Sequence, residues 1–181
     1  MVKSPTSWVG VNTARPNKLV RELWDTSTVN TWKSFDRIQS EVKISDSSRI
    51  DFVMWNSKNF GEGRLIKPNF KKLKGPFHFV EVKNVSLEEK GVARFPDSVT
   101  LRGQKHIDEL VKLIKLGHSA ELLFVVQRED CRSFSPADDI DPEYGKKLRK
   151  AFSLGLKITA LPCQMDMAEI ILKVKPLPVV L

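Results

Sequence analysis

Two cysteines, three histidines and one tyrosine among 181 residues exclude several common chemistries at the outset. Cys131 and Cys163 stand 32 residues apart, with no Cys-x-x-Cys and no neighbouring histidine pair. That spacing suits two reduced thiols, not a disulfide framework or a zinc site. No apolar run approaches the ~18 residues that a membrane span needs. The opening Met1-Val2-Lys3-Ser4-Pro5-Thr6 also lacks the apolar core of a secretory leader. The expectation is an intracellular protein, cytoplasmic or organellar, with no membrane partner. Internal repeats and low-complexity tracts are absent too. What is present, 41% hydrophobic and 29% charged residues, is the composition of one globular domain spanning 1–181.

The charge is basic and uneven. The net charge is +8 and the isoelectric point near 9.5. The first ninety residues carry 16 Lys and Arg against 10 Asp and Glu, a net of +6. Between Ser57 and Pro76, Lys58, Arg64, Lys67, Lys71, Lys72 and Lys74 face only Glu62. Such an excess favours a polyanion, because phosphate contacts release counterions. A solvated surface loop has the same composition.

Patterning predicts an α/β domain. A short strand at Ser7–Val11 leads to a helix capped by Asn12 or Thr13, with Pro16 in its first turn and a stripe of Leu19, Val20 and Leu23. A polar loop over Asp25–Asn30 follows. Ile38–Ile44, Arg49–Trp55 and Phe77–Val85 read as strands, the first two joined by the turn Ser45-Asp46-Ser47-Ser48. Ile107, Leu110, Val111 and Ile114 mark a helix ending at Gly117, in which Gly103 allows close approach to a sheet. Glu121–Gln127 reads as a strand buried on both faces. Asp141-Pro142 starts another helix with Tyr144, Leu148, Ala151 and Phe152 on its apolar face, closed by Gly155. Leu156–Leu161 and Ala168–Val174 complete the order αβββαβαββ, one mixed sheet flanked by helices.

The chemistry concentrates in Phe79-Val80-Glu81-Val82-Lys83. Strand alternation puts Glu81 and Lys83 on one face while Val80 and Val82 point into the core. Charges on an apolar strand are expensive to desolvate without partners or a purpose. Asp51, between Ile50 and Phe52, is a second such carboxylate. If the two strands pair, Asp51 and Glu81 converge on a hard cation, Mg²⁺ or Mn²⁺, and the Val82 carbonyl adds a ligand. Lys83 then orients or deprotonates a water and stabilises phosphate charge.

A carboxylate, a spacer and Glu-x-Lys resemble the signature of the PD-(D/E)xK nuclease superfamily, although Ile50 stands where its name has proline. Longer blocks are more specific. Arg49-Ile50-Asp51-Phe52, Val80-Glu81-Val82-Lys83-Asn84-Val85, Phe95-Pro96-Asp97-Ser98-Val99-Thr100 and Arg102-Gly103-Gln104-Lys105-His106 resemble consecutive blocks of the sugar fermentation stimulation protein (SfsA) family. Trp8–Thr13, Asn17–Glu22, Phe134–Ala137 and Ile140–Pro142 extend the likeness from about Trp8 to the C-terminus. The resemblance implies a restriction-endonuclease-like core, DNA binding and, by inference from the site, nuclease activity. It also implies an N-terminal domain like an oligonucleotide-binding barrel. Only seven residues precede Trp8, so that domain is expected to be absent, with a homodimer or a separate chain as sources of the missing contacts. The family usually has an acid where Leu101 stands, and the basic segment after Trp55 is longer than usual.

Other residues are read against plainer roles. Glu22 is either an additional metal-site carboxylate or part of a solvated helix face. Glu41 fits a salt bridge with Lys43 or Arg49. Gln104, through the resemblance, is expected to position water or phosphate as a fourth catalytic residue beside Asp51, Glu81 and Lys83. His78, His106 and His118 read as ordinary surface residues. Arg49, Lys71, Lys72, Lys74, Arg102 and Lys105 are candidate DNA contacts, Arg102 and Lys105 because a helix start favours anions. The tryptophans fit the core or base stacking. The expected function is a DNA-binding, metal-dependent nuclease. The alternative is a non-catalytic DNA-binding regulator, and a third is a structural subunit whose triad is a salt-bridge network.

Overall fold

In a computed structural model, the structure describes residues 1–4, 7–26, 29, 32–45, 47–66, 68–73 and 76–181. Outside them lie Lys67 and Lys74 of the basic segment, Asp46 of the expected turn, and Ser27, Thr28 and Asn30 of the expected polar loop. The frame is a six-stranded mixed sheet. Its strands are β3 (Arg37–Ser45), β4 (Ser48–Trp55), β5 (His78–Val85), β8 (Ser119–Val126), β10 (Lys157–Met165) and β11 (Ile170–Leu172). They lie in the order β11-β10-β8-β5-β4-β3. The central β5, β8 and β10 are parallel, and antiparallel β4 and β3 extend one side.

Helices cover both faces, as the apolar run from Leu122 to Val126 demands. α1 (Arg15–Asp25) lays Leu19, Val20 and Leu23 against Phe52, Val80, Leu123 and Val125. α3 (Leu101–Lys115) and α4 (Pro142–Ser153) lay Ile107, Leu110, Tyr144 and Leu148 against Phe79, Leu122 and Phe124. The face carrying Glu81 and Lys83 is therefore covered too, by α3, whereas alternation alone had assigned the core to Val80 and Val82. Both cysteines are buried and unbridged.

Capping follows local chemistry. Asp141 accepts the Tyr144 N–H at 3.0 Å as expected, and Thr100 caps α3 by accepting from Gly103. At α1, Asn12 accepts the Ala14 N–H at 3.0 Å, while Ala14 occupies the cap with no side-chain bond. A Cβ at Gly103 would meet Thr100 and Tyr144, so the close approach that this glycine permits is to α4 rather than to the sheet.

Five short elements escaped the sequence pattern: β1 (Val2–Lys3), which pairs with β2 (Trp8–Val9), α2 (Ser57–Phe60), β6 (Leu87–Glu89), β7 (Val92–Phe95) and β9 (Ser133–Pro136). The last three form a small sheet, with β6 and β7 turning through Lys90 and Gly91, both at positive φ.

One irregularity shapes the site. Period-two alternation would keep Ile38, Val42 and Ile44 on one face. Instead Ile38 packs on the α1 side, and Val42 and Ile44 on the α3 side. The reversal falls at Glu41, whose φ of 54° lies in the left-handed region. The tip of the β3–β4 hairpin thereby reaches the start of α3, where Lys105 Nζ donates to Ser47 Oγ at 2.8 Å.

Candidate functional site

Hairpin tip and helix start enclose an open cleft of about 780 Å³. Asp51 and Glu81 line its floor together with His106, and Arg49, Arg102 and Lys105 stand exposed around it. Glu41, Ser48 and Leu101 also face it, Leu101 being 75% exposed at its mouth.

Asp51 sits where two strands part. The β4–β5 ladder runs through Met54↔His78 and Val53↔Phe79 to Phe52↔Val80. Two residues on, the Val82 N–H donates at 2.7 Å to Asp51 Oδ2, a side-chain oxygen. Asn17 Nδ2, from α1, donates to Asp51 Oδ1 at 2.8 Å. Burial first, and then the charge of Glu81, push the Asp51 carboxyl up to about 6, against the pull of these hydrogen bonds and of Lys83. The two carboxylates therefore repel one another across the cleft floor.

Glu81 is 3% exposed. Lys83 Nζ donates to its Oε1 at 2.6 Å, and His106 Nδ1 meets the same oxygen. Lys83 Nζ also lies 3.2 Å from His106 Nδ1. Burial alone would raise the Glu81 carboxyl, but the bond from His106 and the charge of Lys83 outweigh it and hold the group below the usual carboxylate range. Behind α3, the hydroxyl of fully buried Tyr144 has no hydrogen-bond partner among the described residues.

Asp51, Glu81, Lys83, Arg49, Arg102 and Lys105 thus come together, and Val82 contributes its backbone. Gln104 does not join them. Its amide donates to both oxygens of Asp141, at 2.9 and 3.1 Å, tying the starts of α3 and α4 together. Glu22 is exposed on α1, 3.8 Å from Arg15, beside a different groove shared with β11. Lys71 and Lys72 are exposed, and Lys71 lines another groove with Phe70 and Lys112. Lys74 lies outside the described residues. Glu41 faces the cleft and makes no ion pair among the described residues, contrary to the expected salt bridge.

The histidine reading is corrected in full, since His78, His106 and His118 are all at least nine-tenths buried. His106 could have been found from sequence. It falls at i, i+4 and i+7 with Leu110 and Leu113 on the buried face of α3. Asn17 left no comparable signal. His78 belongs to a second polar cluster on the opposite face. There Glu121, 1% exposed, accepts from Trp32 Nε1 and from Lys157 Nζ at 3.1 Å each, and from Thr159 Oγ1 at 2.5 Å, with His78 Nε2 also at 3.1 Å. Trp32 and Trp55 are core residues, each 3% exposed.

Comparison with known proteins bears on what this cleft is. Residues 14–169 match the family model described as the sugar fermentation stimulation protein RE domain. A sugar fermentation stimulation protein homolog of Bdellovibrio bacteriovorus is 46% identical over 190 residues, covering 97% of this chain and 72% of that protein. The Geotalea daltonii homolog is 40% identical, covering 99% and 70%. Among solved structures, that of Pyrococcus furiosus SfsA in complex with Ca²⁺ is similar with a TM-score of 0.81 and 26% identity, covering 98% of this chain and 69% of that one.

Proposed function

The chain belongs to the sugar fermentation stimulation protein family, and on that premise we propose that it binds DNA and hydrolyses its phosphodiesters with a bound Mg²⁺ or Mn²⁺. One observation carries the reading: Asp51 and Glu81 line one open cleft with a basic rim, and Lys83 is bonded to Glu81. The restriction-endonuclease-like core is part of the same proposal, supported by carboxylates on adjacent strands of a mixed sheet and a lysine two residues after the second. The Ca²⁺ of the Pyrococcus structure supports a site for a hard, oxygen-seeking cation.

The donor set fits such a cation. Two carboxylates offer hard oxygens, and their mutual repulsion is what a divalent charge relieves. The N–H and C=O of one strand residue point to the same edge, so the Val82 carbonyl faces the same gap as its Asp51-bonded N–H. Among the described residues no group of three or more His, Cys, Asp and Glu is arranged to hold a metal, so the donors that would hold the cation are the two carboxylates and the Val82 carbonyl. When bound, the cation supplies charge neutralisation at phosphate and a more acidic water. Asp51 and Glu81 hold it. Lys83 stands against Glu81, where its ammonium steadies the developing phosphate charge and orients the attacking water. Arg49, Arg102 and Lys105 take flanking phosphates, contacts that fix register without reading sequence.

The test is a cleavage assay on single-stranded, double-stranded and branched DNA with Mn²⁺ or Mg²⁺. Cleavage should require the cation and vanish in Lys83→Ala, while DNA binding persists. Replacing Arg49, Arg102 and Lys105 together with Ala should flatten the salt dependence of binding by up to about three units. Salt-dependent binding without cleavage of any substrate would favour the non-catalytic regulator. An unchanged salt slope would remove the cleft from DNA recognition altogether.

A further inference from the structure

We propose that His106 is a positioning residue of this cleft: together with Lys83 it holds one oxygen of Glu81 and commits the other to the cation. The role rests on the cation reading above and adds to it a residue that the superfamily-like signature does not contain.

The argument begins with the freedom of a glutamate. The terminal torsion of its side chain is broad, so a carboxylate alone does not choose which oxygen faces a ligand. At Glu81 the choice is made. Oε1 receives Lys83 Nζ at 2.6 Å and His106 Nδ1, and no donor among the described residues reaches Oε2. Each oxygen offers about two lone-pair sites, so Oε1 is filled by two donors. Oε2 is what remains for the cleft that Glu81 lines.

The contact also fixes the imidazole tautomer. An unprotonated Nδ1 would set its lone pair against that of Oε1, so Nδ1 carries the proton and donates it.

Of the two donors, His106 is the geometric reference. Lys83 lies on the same strand as Glu81 and holds it through a flexible four-carbon stem with rotatable donors, so it follows wherever Glu81 turns. His106 comes from another element. α3 is anchored by its Thr100 cap and by Ile107 and Leu110, both at most 1% exposed. The His106 ring, 7% exposed between α3 and β5, is a rigid plane at a set height above the strand. Such partners of ligating groups characteristically control affinity without touching the metal.

The test uses the full chain and Mn²⁺ alone, with binding followed by titration calorimetry. His106→Leu should weaken Mn²⁺ binding ~10–100-fold, the loss typical of removing such a partner. His106→Asn carries an amide donor near the position of Nδ1–H, and should stay within about threefold of the native protein. His106→Gln carries its donor near Nε2 instead, and should bind more weakly than the Asn variant. This pair remains informative if the Leu variant does not fold, because both are polar amides and the extra methylene of Gln moves the donor. Equal affinity of the Asn and Gln variants, or native affinity in His106→Leu, would overturn the role of His106. A native chain that binds no Mn²⁺ would overturn the cation reading and this role with it.

Discussion

Replacing Glu121 with Gln should cost the fold about 3 kcal/mol at pH 7, and the cost should disappear in acid. The four groups around this carboxylate come from β5, β10 and the stretch containing Trp32, so one side chain ties three parts of the chain together. Burial would raise its pKa, but the bond from His78 and the charge of Lys157 outweigh it, and the carboxyl falls to about 2 from 4.5. A group with a depressed folded pKa stabilises above its unfolded value and loses that contribution as pH falls through the folded one. At 1.36 kcal/mol per pKa unit, the shift amounts to about 3 kcal/mol, fully present above pH 4.5 and gone near pH 2. Gln keeps one acceptor for Trp32, a donor-only group, and Thr159 can turn to accept from the amide, so few groups are orphaned. What is lost is the charge and its strengthening of the surrounding bonds. Urea unfolding at pH 7 should show a lower midpoint with an unchanged slope, and the native and variant curves should converge as pH approaches 2. A gap below about 1 kcal/mol, or one independent of pH, would refute the electrostatic account. The cluster lies on the face away from the cleft, so Mn²⁺ affinity should not move.

Asp51 carries the opposite sign. Its folded pKa is raised to about 6, so ionisation opposes folding, and the metal-free protein should gain on the order of 3 kcal/mol as pH falls from above 6 toward 3.8. Asp51→Asn should lack this slope and melt higher than the native protein at pH 8 in chelator; identical pH profiles would show that the repulsion is not felt. Tyr144→Phe removes a buried hydroxyl without a hydrogen-bond partner among the described residues, and should stabilise the fold by about 1 kcal/mol in urea titration. A loss of stability would mean that the hydroxyl has a bonded partner.

The sequence disclosed the acidic pair and its lysine because strand alternation and apolar neighbours make isolated charges conspicuous. Asp141 and the helix it caps were legible for a similar reason, since capping is a local bargain between adjacent residues. The failures share a cause in distance along the chain. His106 meets a carboxylate 25 residues earlier, Asn17 one 34 residues later, and Gln104 a cap 37 residues later. No window of one helix or strand contains both partners. Glu121 was visible as the first residue of an apolar run, and burial required that it be paired. Which donors answered it depended on β5 and β10 lying on either side of β8. The small sheet of β6, β7 and β9 was missed because Glu88 and Glu89 mask the Lys90-Gly91 turn and its flanking strands as a loop.

The bond from the Val82 N–H to Asp51 has an evolutionary consequence. Where the ladder fails beyond Phe52, a side chain stands in for the missing backbone acceptor. Selection for folding alone would then retain an acid or its amide at position 51 in a lineage that had abandoned chemistry. Glu81 and Lys83 have no such duty to the ladder, since Glu81 answers to Lys83 and His106 and Lys83 answers to Glu81. In decaying descendants the lysine and glutamate would drift first and position 51 last. If the proposed chemistry holds, the Glu-x-Lys pair would be the sharper record of it.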